Sequence, residues 1–116
     1  MQMKIDSTRA PVIWESNASV AALKACVKDA PLTIRANQYG GFEQVGALGR
    51  ALPTNDAQIK TKPGDIMLYS GNQLVVFYGS NVWSYTPLGR LALAPKELTA
   101  LLSKRSVTIT LERDEE

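Results

Sequence analysis

The chain has 116 residues, of which 45% are hydrophobic and 21% are charged, and its formal net charge is +2. Such a length and balance predict a single folded domain over 1–116 and exclude the disordered and fibrous classes. The 13 basic and 11 acidic residues form no Lys/Arg cluster that could follow a phosphate backbone, and no apolar run of about 18 residues could span a bilayer, so we expect neither nucleic acid nor a membrane as a partner.

Two short strands are predicted at the N-terminus. Residues 3–5 and 12–14 are rich in strand-forming side chains. The turn-forming residues 7–11 between them favour a reversal. The sequence therefore predicts an N-terminal hairpin made of these two strands.

A helix and a third strand follow this hairpin. Ser16 or Asn17 can cap the helix by accepting a hydrogen bond from an unpaired backbone N–H. Pro31 is expected to end the helix, because proline has no N–H to donate. Residues 32–36 then alternate between apolar and polar side chains, which predicts a strand with one face in water.

The middle of the chain predicts a further strand and a long loop. Residues 42–47 alternate again, but Phe42 and Val45 share a face only if the strand bends or bulges near Gln44. Residues 49–63 are mostly polar or turn-forming, so we expect them to form the longest loop of the domain.

A central hairpin is predicted next. Residues 66–69 and 74–78 are nearly continuous in apolar residues, and their β-branched and aromatic side chains favour strands over a buried helix. Gly71 and Asn72 between the two runs tolerate the positive φ of a tight turn.

The last third predicts strands around a second helix. Residues 81–85 form a loop or a short strand, and residues 87–93 form a turn that leads into another strand. Pro95 suits the first position of a helix, and residues 107–111 alternate as a strand. The charged residues 112–116 are expected to fray. About eight short strands with two helices are typical of a closed or nearly closed antiparallel barrel.

The absence of histidine and the single cysteine, Cys26, limit the possible chemistry. Ser-His-Asp and Cys-His nucleophile systems and zinc sites with imidazole ligands are impossible. One cysteine forms no internal disulfide, and the start of the chain lacks the apolar segment of a signal peptide, so we expect a cytoplasmic location. We predict no cofactor, no metal site and no catalytic residue.

The central hairpin carries a resemblance to a known family. The run Pro63-Gly64-Asp65-Ile66-Met67-Leu68-Tyr69, followed by Thr86-Pro87-Leu88-Gly89-Arg90, resembles the small prokaryotic cyclophilin-like proteins. The order of the predicted elements also matches that family over nearly the whole chain. The resemblance implies a mainly β fold, a closed antiparallel eight-stranded barrel with two capping helices, and implies no general activity.

True cyclophilins are peptidyl-prolyl isomerases, and their motifs indicate what a groove in this chain would contain. Their Phe-His-Arg-Val strand is similar to Phe42-Glu43-Gln44-Val45, so Gln44 stands where the family has the arginine that polarises the prolyl amide. Gln73 matches a groove glutamine and Trp83 lies near the groove tryptophan, while the active-site histidine has no counterpart. Losing such a charged contact typically costs on the order of 100-fold or more in rate.

Two interpretations remain open for each of these side chains. The aromatic residues suit the wall of a ligand groove, and they equally suit the core. Gln44 and Gln73 are either paired groove amides or solvent-facing strand residues. The candidates for a groove are Tyr39, Phe42, Gln44, Gln73, Trp83 and Tyr85.

The sequence leaves three hypotheses about function. The first is a cyclophilin-like module that binds a peptide segment or a small molecule in a surface groove without efficient catalysis. The alternative is a weak peptidyl-prolyl cis-trans isomerase. The third is a structural homo-oligomer, which would have no open groove.

Overall fold

The computed structural model describes residues 1–114, which form ten strands and two helices. The helices are α1 (Ala18–Cys26) and α2 (Pro95–Leu102). The strands are β1 (Gln2–Ile5), β2 (Thr8–Ala10), β3 (Val12–Trp14), β4 (Leu32–Tyr39), β5 (Glu43–Ala47), β6 (Ala57–Lys60), β7 (Asp65–Tyr69), β8 (Gln73–Phe77), β9 (Val82–Leu91) and β10 (Ser106–Glu112).

Nine of these strands form a nearly closed antiparallel barrel, in the order β2-β1-β10-β4-β5-β8-β7-β9-β3. β6 lies outside this path and pairs with the first half of β9. The strands at the two ends of the order, β2 and β3, are separated in the chain only by Pro11. The predicted mainly β barrel with two helices is confirmed, with nine strands on the path where eight were expected.

The main hydrophobic core fills the interior of the barrel. Alternate residues of each strand point inward, and each large apolar side chain that leaves water contributes roughly 1.5–3 kcal/mol. Both helices add buried side chains, Leu23 from α1 and Leu98 and Leu102 from α2. The core residues from the central strands are Ile34, Ala36, Ile66, Leu68, Leu74, Val76 and Leu88.

A second, smaller hydrophobic cluster lies on the outer face of the barrel wall. It is formed by Met67, Val75, Phe77 and Tyr85. Met67, Val75 and Phe77 alternate along β7 and β8 with residues of the main core, so both faces of the central hairpin are buried. Burial on both faces explains why the two strands are nearly continuous in apolar residues.

The predicted N-terminal hairpin was wrong in its second strand. β1 pairs with β2, and β3 pairs with β9. The reversal occurs at Asp6, whose φ of 54° is tolerated by aspartate, and the Asp6 carboxylate accepts a hydrogen bond from the Thr108 N–H at 3.0 Å. The turn therefore comes earlier than the residues around Pro11 suggested.

The first helix confirms one of its two predicted caps. The Asn17 side chain accepts a hydrogen bond from the Val20 N–H at 2.9 Å. The helix ends at Cys26, so it stops before Pro31 can interrupt it. The predicted strand at 32–36 is confirmed and extends to Tyr39.

Three predictions in the second half of the chain are corrected. The expected loop at 49–63 contains strand β6. The segments 81–85 and 87–93 belong largely to one continuous strand, β9. The expected irregularity near Gln44 is absent, because β5 keeps one register with both neighbours, and the register shift lies instead between Ile66 and Met67, where β7 meets β9.

The remaining local predictions agree with the structure. The central hairpin forms from β7 and β8, and the second helix begins at Pro95. β10 extends to Glu112, so the predicted fraying at 112–116 is wrong for that residue. Residues 115–116 lie outside the described part of the chain.

Candidate functional site

An open cleft of about 940 Å³ lies over the second hydrophobic cluster. We call it the aromatic cleft, because five aromatic side chains line it. They come from the β4–β5 hairpin, from β7 and from β9. These residues are Tyr39, Phe42, Tyr69, Trp83 and Tyr85.

The aromatic rings contact one another across the floor of the cleft. Phe42 stacks on Phe77 with ring centroids 6.5 Å apart and planes 8° from parallel. Tyr85 packs edge-on against Phe77 at 5.6 Å and against Tyr69 at 6.1 Å. Offset and edge-on pairs of this kind are the favourable geometries for aromatic rings, so the floor of the cleft is formed before any ligand enters.

Phe42 is held in place by the backbone around Gly79. The Phe42 carbonyl accepts hydrogen bonds from the N–H groups of Tyr78 and Gly79, at 3.0 and 2.9 Å. A Cβ atom on residue 79 would lie only 2.7 Å from the Phe42 Cβ. The close approach of the two segments therefore requires glycine at this position.

The opposite wall of the cleft is positioned by Asn81. Its side chain donates a hydrogen bond to the Tyr85 hydroxyl at 3.1 Å. Its backbone N–H donates to the Thr61 hydroxyl at 2.8 Å, and its carbonyl accepts from the Thr61 N–H at 2.8 Å. These bonds link the segment after β6 to the start of β9, which carries Trp83.

Among the described residues that line the aromatic cleft, Glu43 is the only charged one. It is 5% exposed, and within residues 1–114 its side chain makes neither a hydrogen bond nor an ion pair. Burial raises the pKa of this carboxyl to about 7, because removal from water disfavours the ionised form. Burial, and after it the charge of Glu43, also raises the pKa of Tyr78.

The family of the chain follows from comparison with known proteins. A family model described as the Cyclophilin-like family matches residues 3–112. The chain belongs to the Cyclophilin-like family. No curated protein and no solved structure matched it.

Gln44 lies outside the aromatic cleft of this cyclophilin-like protein. Its side chain is fully buried and points into the barrel, where its Nε2 donates to the carbonyls of Leu102 and Lys104 at 2.8 and 2.7 Å. Its Oε1 has no hydrogen-bond partner among the described residues. Both interpretations from the sequence, a groove amide and a solvent-facing side chain, are therefore corrected.

The other five groove candidates border the cleft together. Tyr39 and Trp83 stand at its rim and are 66% and 55% exposed, whereas Tyr85 is buried in its floor. Phe42 and the half-buried Gln73 complete the set. The aromatic residues therefore belong both to a groove wall and to a core, because the cleft is the exposed side of the second hydrophobic cluster.

Sequence reasoning missed Glu43 as a residue of the cyclophilin-like cleft. The similarity to the cyclophilin strand drew attention to Gln44, one position further along β5. A shift of one residue exchanges the two faces of a strand. The available signal was a lone acidic side chain beside Phe42 in a segment otherwise free of charge.

The described part of the chain has no candidate metal-binding cluster and no helix that could span a membrane. Residues 1–114 contain no group of three or more His, Cys, Asp or Glu side chains arranged to hold a metal ion. Neither α1 nor α2 is long and apolar enough to cross a membrane.

Proposed function

We propose that this cyclophilin-like protein is a binding module that holds a peptide segment or a small molecule in the aromatic cleft, without efficient catalysis. The observation that carries the proposal is the exposure of Tyr39 and Trp83 on either side of one concave site. Large amphipathic side chains left open to water retain apolar area that a ligand can cover. The volume of about 940 Å³ also falls within the usual range for ligand sites.

The composition of the cleft favours binding over prolyl isomerisation. Its lining contains no arginine or lysine among the described residues. The amide expected to replace the family arginine, that of Gln44, is hydrogen-bonded inside the barrel. Asn81 already donates to Tyr85, and the remaining cleft amides are those of Asn37, Gln38 and Gln73. Of these, Gln73 is the one similar to the groove glutamine of cyclophilins, so it is the donor that an isomerase would use.

A titration followed by NMR tests binding. The probes are short peptides with and without proline, together with cationic, anionic and neutral small molecules. We expect shift changes to concentrate at Tyr39, Phe42, Gln73, Trp83 and Tyr85. Trp83→Ala should weaken the binding of any active probe roughly tenfold, as loss of an aromatic anchor does.

Ile13→Ala is the matched control for Trp83→Ala. Ile13 is 48% exposed but lies on β3, outside the cleft, so binding should not change. Shift changes that cluster elsewhere on the barrel, or the absence of shifts with every class of probe, would contradict the proposal.

A protease-coupled assay with a prolyl peptide tests the isomerase alternative. We expect the wild-type protein and Gln73→Ala to leave isomerisation at its uncatalysed rate, which takes tens to hundreds of seconds. Acceleration by the wild type that disappears in Gln73→Ala would favour the isomerase.

A further inference from the structure

The aromatic cleft contains a carboxyl group that has no partner among the described residues. On β5, Glu43 lies opposite Tyr39 of β4 on one side and Phe77 of β8 on the other. It is 5% exposed and has no ion pair within residues 1–114. A buried carboxylate without a counterion is unfavourable, so the site favours either a proton or a positively charged ligand.

The groups that face Glu43 from neighbouring elements provide no positive charge. The titratable side chains around it are the phenols of Tyr39 on β4, Tyr69 on β7, Tyr78 after β8 and Tyr85 on β9. Phenols are neutral near pH 7. A counterion for Glu43 must therefore come from outside the described chain.

The rings around the carboxyl favour the same kind of ligand. The faces of aromatic rings carry negative potential and attract ammonium and guanidinium groups. Tyr39 and Trp83, the two most exposed of these rings, border the same cleft as Glu43. Anionic ligands would meet repulsion from both the carboxylate and the ring faces.

We propose that the aromatic cleft recognises the primary ammonium group of a lysine side chain in a peptide segment, with Glu43 as its counterion and the aromatic rings around its alkyl chain. This inference rests on the proposed binding function and names the ligand. A primary ammonium has three N–H donors that can reach a carboxylate, whereas a quaternary ammonium has none. The cleft is open and far larger than one alkylammonium group, which leaves room for the residues on either side of the lysine.

The proposal predicts that binding depends on pH. Because the pKa of Glu43 is raised to about 7, the carboxyl is mostly neutral at pH 6 and mostly ionised at pH 8. The lysine amine, with a pKa near 10.4, stays protonated over this range. The lysine ligand should therefore bind about tenfold more tightly at pH 8 than at pH 6.

Calorimetric titrations with three probes test the proposal. The probes are an N-acetylated Ala-Lys-Ala amide, the same peptide with the lysine Nε acetylated, and n-butylamine. We expect acetylation of Nε to weaken binding about 10- to 100-fold, the usual effect of losing a hydrogen bond to a charged group. Butylamine should bind more weakly than the lysine peptide, because it lacks the flanking residues.

The matched variants are Glu43→Gln and Glu15→Gln. The first keeps the shape of the side chain and removes its charge, so lysine binding should fall as far as it does on acetylation and become independent of pH. The second removes an exposed carboxylate outside the cleft, so it should change neither the affinity for the lysine peptide nor the dependence of that affinity on pH. Thermal unfolding of both variants shows whether the fold is retained.

Several outcomes would overturn the lysine proposal. They are equal binding of the acetylated peptide, unchanged binding by a folded Glu43→Gln, and tighter binding of the lysine peptide at pH 6 than at pH 8. The last result would mean that a protonated Glu43 donates to a carbonyl of the peptide. Butylamine binding as tightly as the peptide would exclude the peptide source. If uncharged probes change the chemical shifts of the cleft residues while the lysine peptide does not, the lysine proposal fails and the proposed function stands. If no probe changes these chemical shifts, both proposals are contradicted.

Discussion

Glu43 and Gln44 are adjacent on β5 and have opposite roles. Glu43 faces the aromatic cleft, and Gln44 faces the interior of the barrel. The last carbonyls of a helix lack partners within the helix, and the Gln44 amide satisfies that of Leu102 at the end of α2, together with that of Lys104 just beyond it. Gln44 therefore attaches the C-terminal end of α2 to the barrel.

Replacing Gln44 should destabilise the protein. In Gln44→Ala the Lys104 carbonyl loses its donor, the Leu102 carbonyl keeps only its bond from the Lys104 N–H, and a cavity forms. We therefore expect the free energy of unfolding to fall by about 2–4 kcal/mol. The control is Gln73→Ala, since Gln73 is half-buried on the cleft side, and we expect it to cost about 1 kcal/mol or less. Urea unfolding followed by circular dichroism measures both, and equal losses would contradict the assigned role of Gln44.

Glu43 should make stability depend on pH. Folding raises its pKa from 4.5 to about 7, so between these values the folded protein keeps a proton that the unfolded chain releases. The retained proton stabilises the folded state fully below pH 4.5. As the pH rises to 7 this stabilisation is lost, and the free energy of unfolding falls by up to about 3 kcal/mol.

The comparison of Glu43→Gln with the wild type isolates this contribution. The variant cannot ionise, so its stability relative to the wild type should increase between pH 4.5 and pH 8. Chemical denaturation at several pH values measures the difference, with Glu15→Gln as the control. A constant difference would mean that the carboxyl has an ordinary pKa in the folded protein.

At the scale of elements, β9 connects the cleft to the rest of the barrel. Its first half pairs with β6, and its second half pairs with β7 and β3. Between the residues paired with Ile66 and Met67, β9 contains one extra residue, Leu88, which is fully buried in the main core. A bulge bends the strand and increases its twist, and this allows one strand to serve both the cleft and the barrel.

Asn17 joins α1 to this bulge. Its Oδ1 accepts from the Val20 N–H at 2.9 Å, and its Nδ2 donates to the Pro87 carbonyl at 2.8 Å. Asn17→Ala loses both hydrogen bonds, so we expect the free energy of unfolding to fall by about 2 kcal/mol.

Two further variants separate the roles of Asn17. Asn17→Asp keeps the cap acceptor and loses the donor to Pro87, so its stability should fall between those of the wild type and Asn17→Ala. Ser16→Ala should change stability by no more than about 0.5 kcal/mol, since Asn17 is the cap. Chemical denaturation ranks the four proteins, and an equal loss in Ser16→Ala would refute the assignment of the cap.

At the scale of the whole molecule, the two end strands of the nearly closed barrel are joined through the chain at Pro11. The short strands β2 and β3 lie at the two ends of the strand order, and Pro11 connects them. The Pro11 carbonyl accepts a hydrogen bond from the Ala92 N–H at 2.9 Å. We call β2, Pro11 and β3 the seam of the barrel. The seam is therefore the part of the barrel with the fewest paired backbone groups.

Hydrogen exchange should reveal this seam. Local opening requires the least energy where few bonds must break, so we expect the amides of β2 and β3 to exchange at least about 100-fold faster than those of β5 and β8, which have partners on both sides. Exchange measured by NMR at neutral pH checks this, with the amides of β5 as the internal reference. Equal protection throughout would mean that the barrel opens only as a unit.

Local signals in the sequence were sufficient for several elements. The turn around Gly71 and the apolar runs beside it predicted the β7–β8 hairpin, and Pro95 predicted the start of α2. Five side chains proposed for a groove do border one cleft. In the hairpin and in the helix the deciding interactions involve residues close together in the chain.

The tertiary structure decided the pairing of β3 with β9, the strand at β6 and the face on which each residue of β5 lies. Pairing joins residues far apart in the chain, and its energy depends on neighbours that no short window contains. The finding that Glu43 lies in the cleft, where Gln44 was predicted, has the same origin. Both faces of β5 are buried, so alternation could not distinguish them, and only the packing of the barrel against the cleft could.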